Sequence, residues 1–102
     1  MPIERWNPER DGPLSEAALR HKLEKLGYVV AGYVYPPGTC FPTHTHTVDK
    51  MDAVVSGCFR ITMGKESVVL EAGDAMAVPR GAAHSAQVVG DEPVVSLDGV
   101  KA

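Results

Sequence analysis

From Tyr28 onward, apolar residues recur in short runs or at every second position, with turn residues between them. Tyr28–Tyr35 is β-branched and aromatic and stops at Pro36-Pro37-Gly38, which predicts a strand and a turn. Cys58–Met63 sets Phe59, Ile61 and Met63 against Cys58, Arg60 and Thr62, the period of a half-buried strand. Gly64-Lys65 then suits a two-residue hairpin loop of type II′, and Ser67–Leu70 returns. Further strands are expected at Ala75–Val78, His84–Val89 and Val94–Asp98, the last two as a hairpin joined by Gly90-Asp91-Glu92-Pro93. His44–His46 and Met51–Ser56 read as one strand broken by a bend and ended by Gly57. Short strands at regular spacing with turns between them argue for an all-β antiparallel barrel or sandwich.

The first quarter of the chain follows another pattern. Pro2–Leu14 is rich in Pro, Gly and charge and reads as an irregular lead, with an edge strand around Ile3–Trp6. Ser15–Leu26 reads as a helix: Ser15 is a good N-cap, Glu16 suits the positive end of the dipole, and Gly27 follows as a stop. Leu19, Leu23 and Leu26 fall on one stripe, opposite Arg20, Lys22, Glu24 and Lys25. So narrow a stripe covers the outside of a sheet and does not build a bundle. The expectation is one domain over residues 1–102, with an arm and helix at 1–27 and a barrel at 28–98.

Composition narrows the function classes. A net charge of −3 and a pI near 5.7 offer no basic patch for nucleic acid. The Tyr28–Tyr35 run is far too short to cross a bilayer, and Met1-Pro2-Ile3-Glu4-Arg5 has no signal-peptide pattern. These features suggest a cytoplasmic protein without a membrane partner. Cys40 and Cys58 make no metal or redox spacing, so two free thiols are expected.

Three histidines carry the chemistry. One frame runs Gly38, five residues, His44-Thr45-His46, ten residues, Gly57; a second runs Gly73, five residues, Pro79-Arg80-Gly81, two residues, His84. The four glycines and the proline alone coincide by chance on the order of once in 10⁶. Residues i and i+2 of a strand share a face, so His44 and His46 can aim two imidazoles at one point. Neutral imidazole is a good ligand for Zn, Cu, Fe and Ni. The alternative is a set of ordinary histidines bonded to one another or to water.

Both frames resemble the two motifs of the cupins, small antiparallel β-barrels of the jelly-roll type that often hold one metal ion inside. The resemblance covers Gly38 to about Val88. It implies that His84 is the third ligand and that the cofactor is one divalent transition metal: Fe, Mn, Ni, Cu or Zn. Two positions depart from it. Lys50 stands where the first motif usually carries a ligand glutamate, and Val88 stands where the second usually ends in asparagine.

An ammonium at Lys50 near a divalent ion would be repelled by it, so its charge has to be handled. It can be deprotonated, reach out to solvent, or pair with an acid. Pairing is the preferred expectation, with Asp52 first and Asp49 or Asp98 as other partners. Lys50 and Asp52 are therefore the candidate catalytic residues, with a surface pair at the barrel mouth as the bland alternative. Arg80 sits in a rim turn where it could meet an anionic substrate, though such an arginine is more often solvated. Cys40 could line the mouth. Trp6, Tyr33 and Phe59 are expected to pack, and His21 to lie on the surface.

The resemblance leaves two functions open. One is a metal-dependent enzyme, oxygenase-like, acting on a small polar organic molecule; some cupin dioxygenases use three-histidine sites. The other is a non-catalytic small-molecule or metal-binding module. A homodimer is expected in either case.

Overall fold

A computed structural model of the protein describes residues 1–102. The strands are β1 (Tyr28–Tyr35), β2 (Cys40–His44), β3 (Lys50–Ser56), β4 (Cys58–Met63), β5 (Glu66–Leu70), β6 (Ala75–Val78), β7 (His84–Val89) and β8 (Val94–Lys101). They form two four-stranded antiparallel sheets, ordered β1-β8-β3-β6 and β2-β7-β4-β5. The sheets face each other as a jelly roll, without a hydrogen-bonded ladder closing one onto the other. The all-β antiparallel expectation holds. No helix is long and apolar enough to cross a membrane.

Alternation along the strands builds two cores from the first sheet. On β3, Ala53 faces outward and Val54 inward; on β8, Leu97 faces outward and Val94 inward. The outward residues meet helix α2 (Glu16–Lys25), whose Leu19 and Leu23 are almost fully buried against Ala53, Ala75 and Leu97. Burying each leucine contributes about 1.5–3 kcal/mol. The inward residues join Phe59, Ile61, Leu70, Met76, Val78 and Val88 in the core between the sheets.

Two motif glycines are there for geometric reasons. Gly57 has φ 88°, and a Cβ on it would lie 2.4 Å from the carbonyl oxygen of Pro93. Gly73 also has φ 88°, and its Cβ would lie 2.5 Å from Cβ of Trp6. Both positions need the left-handed backbone and the missing side chain. The Gly64-Lys65 loop joins Met63 to Glu66 across the β4–β5 hairpin, with positive φ at Gly64 only, as a type II′ turn requires.

Several sequence-based expectations need correction. His44–His46 and Met51–Ser56 do not belong to one strand: β2 lies in one sheet and β3 in the other, and residues 45–49 cross between them. β7 and β8 are likewise in opposite sheets and form no hairpin. Local turn signals show where the chain reverses; they do not show whether it reverses within a sheet or steps across the sandwich. β8 runs on to Lys101 because β1 and β3 flank it on both sides and extend its ladder.

At the N-terminus, the expected edge strand is a single bridge from Glu4 to Ala75. A helical turn, α1 (Pro8–Asp11), follows it, with Asn7 as N-cap and proline in its first turn. Ser15 caps α2 by accepting from the Ala18 N–H, and Leu26 is 48% exposed, so only Leu19 and Leu23 carry the stripe.

Candidate metal centre

His44 ends β2 and His84 opens β7, and the two are register partners across that pair of strands. A register shift between Phe41 and His44 bends β2 just before the site. His46 follows two residues later, and its carbonyl accepts from the Gly81 N–H, which ties it to the second motif. The three rings meet: centroids are 4.3 Å apart for His44 and His84, 4.7 Å for His44 and His46, and 5.1 Å for His46 and His84. One ring nitrogen from each lies within 4.8 Å of the others.

The tautomers follow from two backbone contacts. Nδ1 of His44 lies 2.7 Å from the Pro42 carbonyl oxygen, and Nδ1 of His84 lies 2.9 Å from that of Ala82. A carbonyl only accepts, so both Nδ1 atoms carry the hydrogen and both Nε2 lone pairs are free. That is the state a metal ligand needs, and the contact fixes the ring as well. His46 is held below the usual histidine pKa by burial first, then by the charges of Lys50 and the other two imidazoles. The donor set therefore fits one transition-metal ion, with coordination positions left over.

These rings line a cavity of about 200 Å³ together with β1, β3 and β8. Tyr35, Phe41 and Phe59 form an aromatic cluster in its lining, with centroids 4.9–6.1 Å apart. Opposite the imidazoles lie Lys50, Asp52, Ser96 and Asp98. Asp52 and Asp98 are direct register partners on β3 and β8, and Lys50 is two residues before Asp52 on the same face.

Lys50 pairs with an acid, but not with the first choice. Its Nζ donates to Oδ2 of Asp98 at 2.7 Å, and the two side chains are only 13% and 21% exposed. Asp52, two residues along the same strand, is displaced by about 7 Å of rise, whereas Asp98 sits on the adjoining strand within diagonal reach. Asp49 is engaged elsewhere, accepting from the Arg80 N–H at 2.8 Å.

The two carboxyls differ in environment. Oδ1 of Asp98 is buried and has no hydrogen-bond partner. Burial, then the facing Asp98, pushes the Asp52 carboxyl up to about 6, against the opposing pull of Lys50 and His44. The same wall pushes Tyr35 up to about 12, through burial and then the charges of Asp98 and Asp52.

All the lesser candidates except Phe59 lie outside this cavity. Arg80 and Cys40 are exposed and line no part of it, and His21 is on the surface. Trp6 packs under Lys22, with its indole N–H donating to the Gly12 carbonyl. Tyr33 stacks on Tyr35, and Phe59 serves both core and cavity. Nothing in the sequence singles out Tyr35, Phe41 and Ser96 as site residues, and it offers Asp98 only as one of several partners for Lys50. Alternation on Val94–Asp98 put Ser96 and Asp98 on one face, but nothing in the sequence said which strand that face adjoins.

The chain matches the cupin domain family over residues 33–100, and it belongs to that family. It is 34% identical over 80 residues to a nitrosourea synthase of Streptomyces achromogenes subsp. streptozoticus; the match covers 78% of this chain and 17% of that protein. Among solved structures it is similar to a conserved protein with a double-stranded β-helix domain from Klebsiella pneumoniae, with TM-score 0.63 and 27% identity over 74% of this chain and 67% of that one. It is also similar to the DMSP lyase DddQ from Ruegeria pomeroyi, with TM-score 0.62 and 26% identity over 72% of this chain and 38% of the lyase. The chain thus spans about a sixth of the curated relative it matches. The fold is a cupin, and its histidine cluster is one that could hold a metal ion.

Proposed function

We propose that this protein is a metal-dependent enzyme acting on a small polar organic molecule, with His44, His46 and His84 as the protein ligands of one divalent transition ion. The observation that carries this reading is the meeting of three imidazoles, two with Nδ1 bonded to backbone carbonyls, inside a cavity that also holds ionisable groups. Such an ion, Fe, Mn, Ni, Cu or Zn, would supply Lewis acidity to substrate donors, and a redox-active one such as Fe would supply the oxygenase-like chemistry we assign to the site.

The chain's own groups do the rest. Three neutral imidazoles leave the ion's charge uncompensated, which favours an anionic substrate. Tyr35, Phe41 and Phe59 give the cavity lining an apolar part for the carbon skeleton of a substrate. Of the two candidates Lys50 and Asp52, Asp52 is assigned proton handling and Lys50 a positioning role, fixing the charge of Asp98. Relatives named as a nitrosourea synthase and a DMSP lyase support an enzyme over a passive module.

One observation favours the other reading, a non-catalytic binding module: the Lys50 amine is locked in its ion pair and is not free to act as a base. Elemental analysis of protein purified without added metal, followed by zinc and Fe(II) titration, tests the proposal. One transition ion per chain, lost in His84→Ala, is the expected result; a site that refuses all five metals leaves the binding module. The proposal includes a small-molecule ligand, a cytoplasmic setting and a homodimer. Exposed Val29, Tyr33 and Val34 on edge strand β1 support the homodimer, and light scattering in solution measures it directly.

A further inference from the structure

The acid wall contains a mismatch that the metal reading does not explain. Asp52 and Asp98 are direct cross-strand partners on the inner face of the first sheet. Two ionised carboxylates in that relation repel each other. One oxygen of Asp98 is taken by Lys50, and the other is buried without a donor. The groups facing Asp52 can be counted element by element. β8 brings Asp98, its own strand β3 brings Lys50, β1 brings Tyr35, and the imidazoles come from His44 on β2, His46 after it and His84 on β7. On its remaining flank, β6 sets Met76 opposite it. Lys50 is spent on Asp98, and Asp52 itself makes no ion pair. It lies six positions beyond His46, and no hydrogen bond joins it to an imidazole.

We propose that Asp52 and Asp98 form a proton-sharing carboxyl pair, in which Asp52 carries the proton toward the orphaned Oδ1 of Asp98 and Lys50 keeps Asp98 ionised through Oδ2. One proton answers both anomalies: it removes the like-charge repulsion and supplies the missing donor. The trio then carries no net charge, which suits a shielded wall. The raised proton affinity of Asp52 agrees with this, since burial and the facing Asp98 both favour its neutral form.

The pair gives the cavity a proton source facing the imidazoles. When the proton passes to a basic atom of a bound substrate, the O–H bond of Asp52 breaks and its electron pair stays on the carboxylate. Solvent returns the proton after product leaves. Asp52 is then the catalytic acid, while Asp98 and Lys50 are positioning residues. This transfer rests on the enzymatic reading above; the pair itself does not.

Carbon-13 NMR of protein labelled at the aspartate carboxyls, recorded without metal across pH 4–8, tests the pair. One aspartate should titrate with a midpoint near pH 6, and that signal should vanish in Asp52→Asn. Asp98→Asn should lower the midpoint by a unit or more, a tenfold loss of proton affinity, because the repelling charge is gone and Lys50 remains. Lys50→Met should raise it. Opposite shifts in two variants that circular dichroism shows to be folded decide the matter even if Asp52→Asn does not fold. No aspartate titrating above pH 5, or a midpoint that ignores Asp98→Asn, overturns the pair. Zinc titration of the wild type is read separately. If zinc binds and the pair is absent, this inference alone fails; if the pair is present and no metal binds, the proposed function fails and the pair stands.

Discussion

Two walls of one cavity handle polar groups in opposite ways. The wall from β2 and β7 presents three imidazoles, two of them oriented by nearby backbone through the carbonyls of Pro42 and Ala82, each two residues before its ring. The wall from β3 and β8 presents an ion pair and a second carboxyl beside it, with the paired Lys50 and Asp98 forty-eight residues apart in the chain. Local bonds make the first wall rigid and leave its lone pairs open to a ligand. The Lys50–Asp98 ion pair makes the second wall tolerable next to an aromatic core. A cation is welcome at the first wall, and the second has already used its own cation internally. The difference also shows how a cupin can accept lysine in place of the usual motif glutamate: Asp98 pairs with the ammonium and offsets part of its charge, although His46 still feels it.

The largest effect is expected from breaking the imidazole wall. His44→Ala, His46→Ala or His84→Ala should each weaken zinc binding at least about 100-fold by calorimetry while the strand spectrum persists, since removing one ligand costs more than the 10–100-fold seen on losing a partner of a ligand. A triple-alanine variant that still bound one ion per chain would remove the site assignment altogether.

Loosening the scaffold without touching either wall sharpens the contrast. Leu19 and Leu23 bury their side chains on the outer face of the first sheet. Leu19→Ala should lower unfolding free energy by about 2–5 kcal/mol in urea, with zinc affinity nearly unchanged. A large loss of zinc affinity would mean that the cavity depends on the helix.

The acid wall should show itself in the pH dependence of stability. Asp52 binds its proton more tightly folded than unfolded, where its pKa is near 4. Its contribution is therefore complete below pH 4, falls as pH rises through about 6, and is flat above that. The swing is at most about 3 kcal/mol, and less to the extent that the cavity's open side lets water screen the carboxylate. Asp52→Asn should remove the slope and be more stable than wild type at pH 8. Urea unfolding at pH 4, 6 and 8 gives the answer, and an unchanged slope would detach Asp52 from the wall's electrostatics.

The smallest effects belong to Lys50. Lys50→Met removes a cation from the cavity and should bind zinc no more weakly than wild type, at a stability cost of about 1–3 kcal/mol from leaving Asp98 unpaired, below that of a fully buried pair because both side chains keep some exposure. Lys50→Glu should tighten zinc binding further by restoring the usual fourth carboxylate. Equal zinc affinity in wild type and both variants would show that the second wall does not feel the first.

The sequence determined much of this protein through short-range rules. The alternation of Phe59 and Ile61, the Gly64-Lys65 turn, the Ser15 cap and the two glycine frames each depend on residues a few positions apart, and each is realised. His44 and His46 converge as their i, i+2 spacing suggests, although His46 lies just past the end of β2, and the resemblance to the cupin motifs pointed to His84. Tertiary structure decided what lies across the sandwich. It placed β2 and β3 in different sheets, split β7 from β8, and set β8 between β1 and β3. That register made Asp98, and not Asp52, the partner of Lys50, and brought Tyr35 and Ser96 into the cavity. The physical reason is that strand period fixes which face a side chain takes, while its neighbour on that face depends on which strands pair and in what register. That pairing is settled by burial of the whole apolar set.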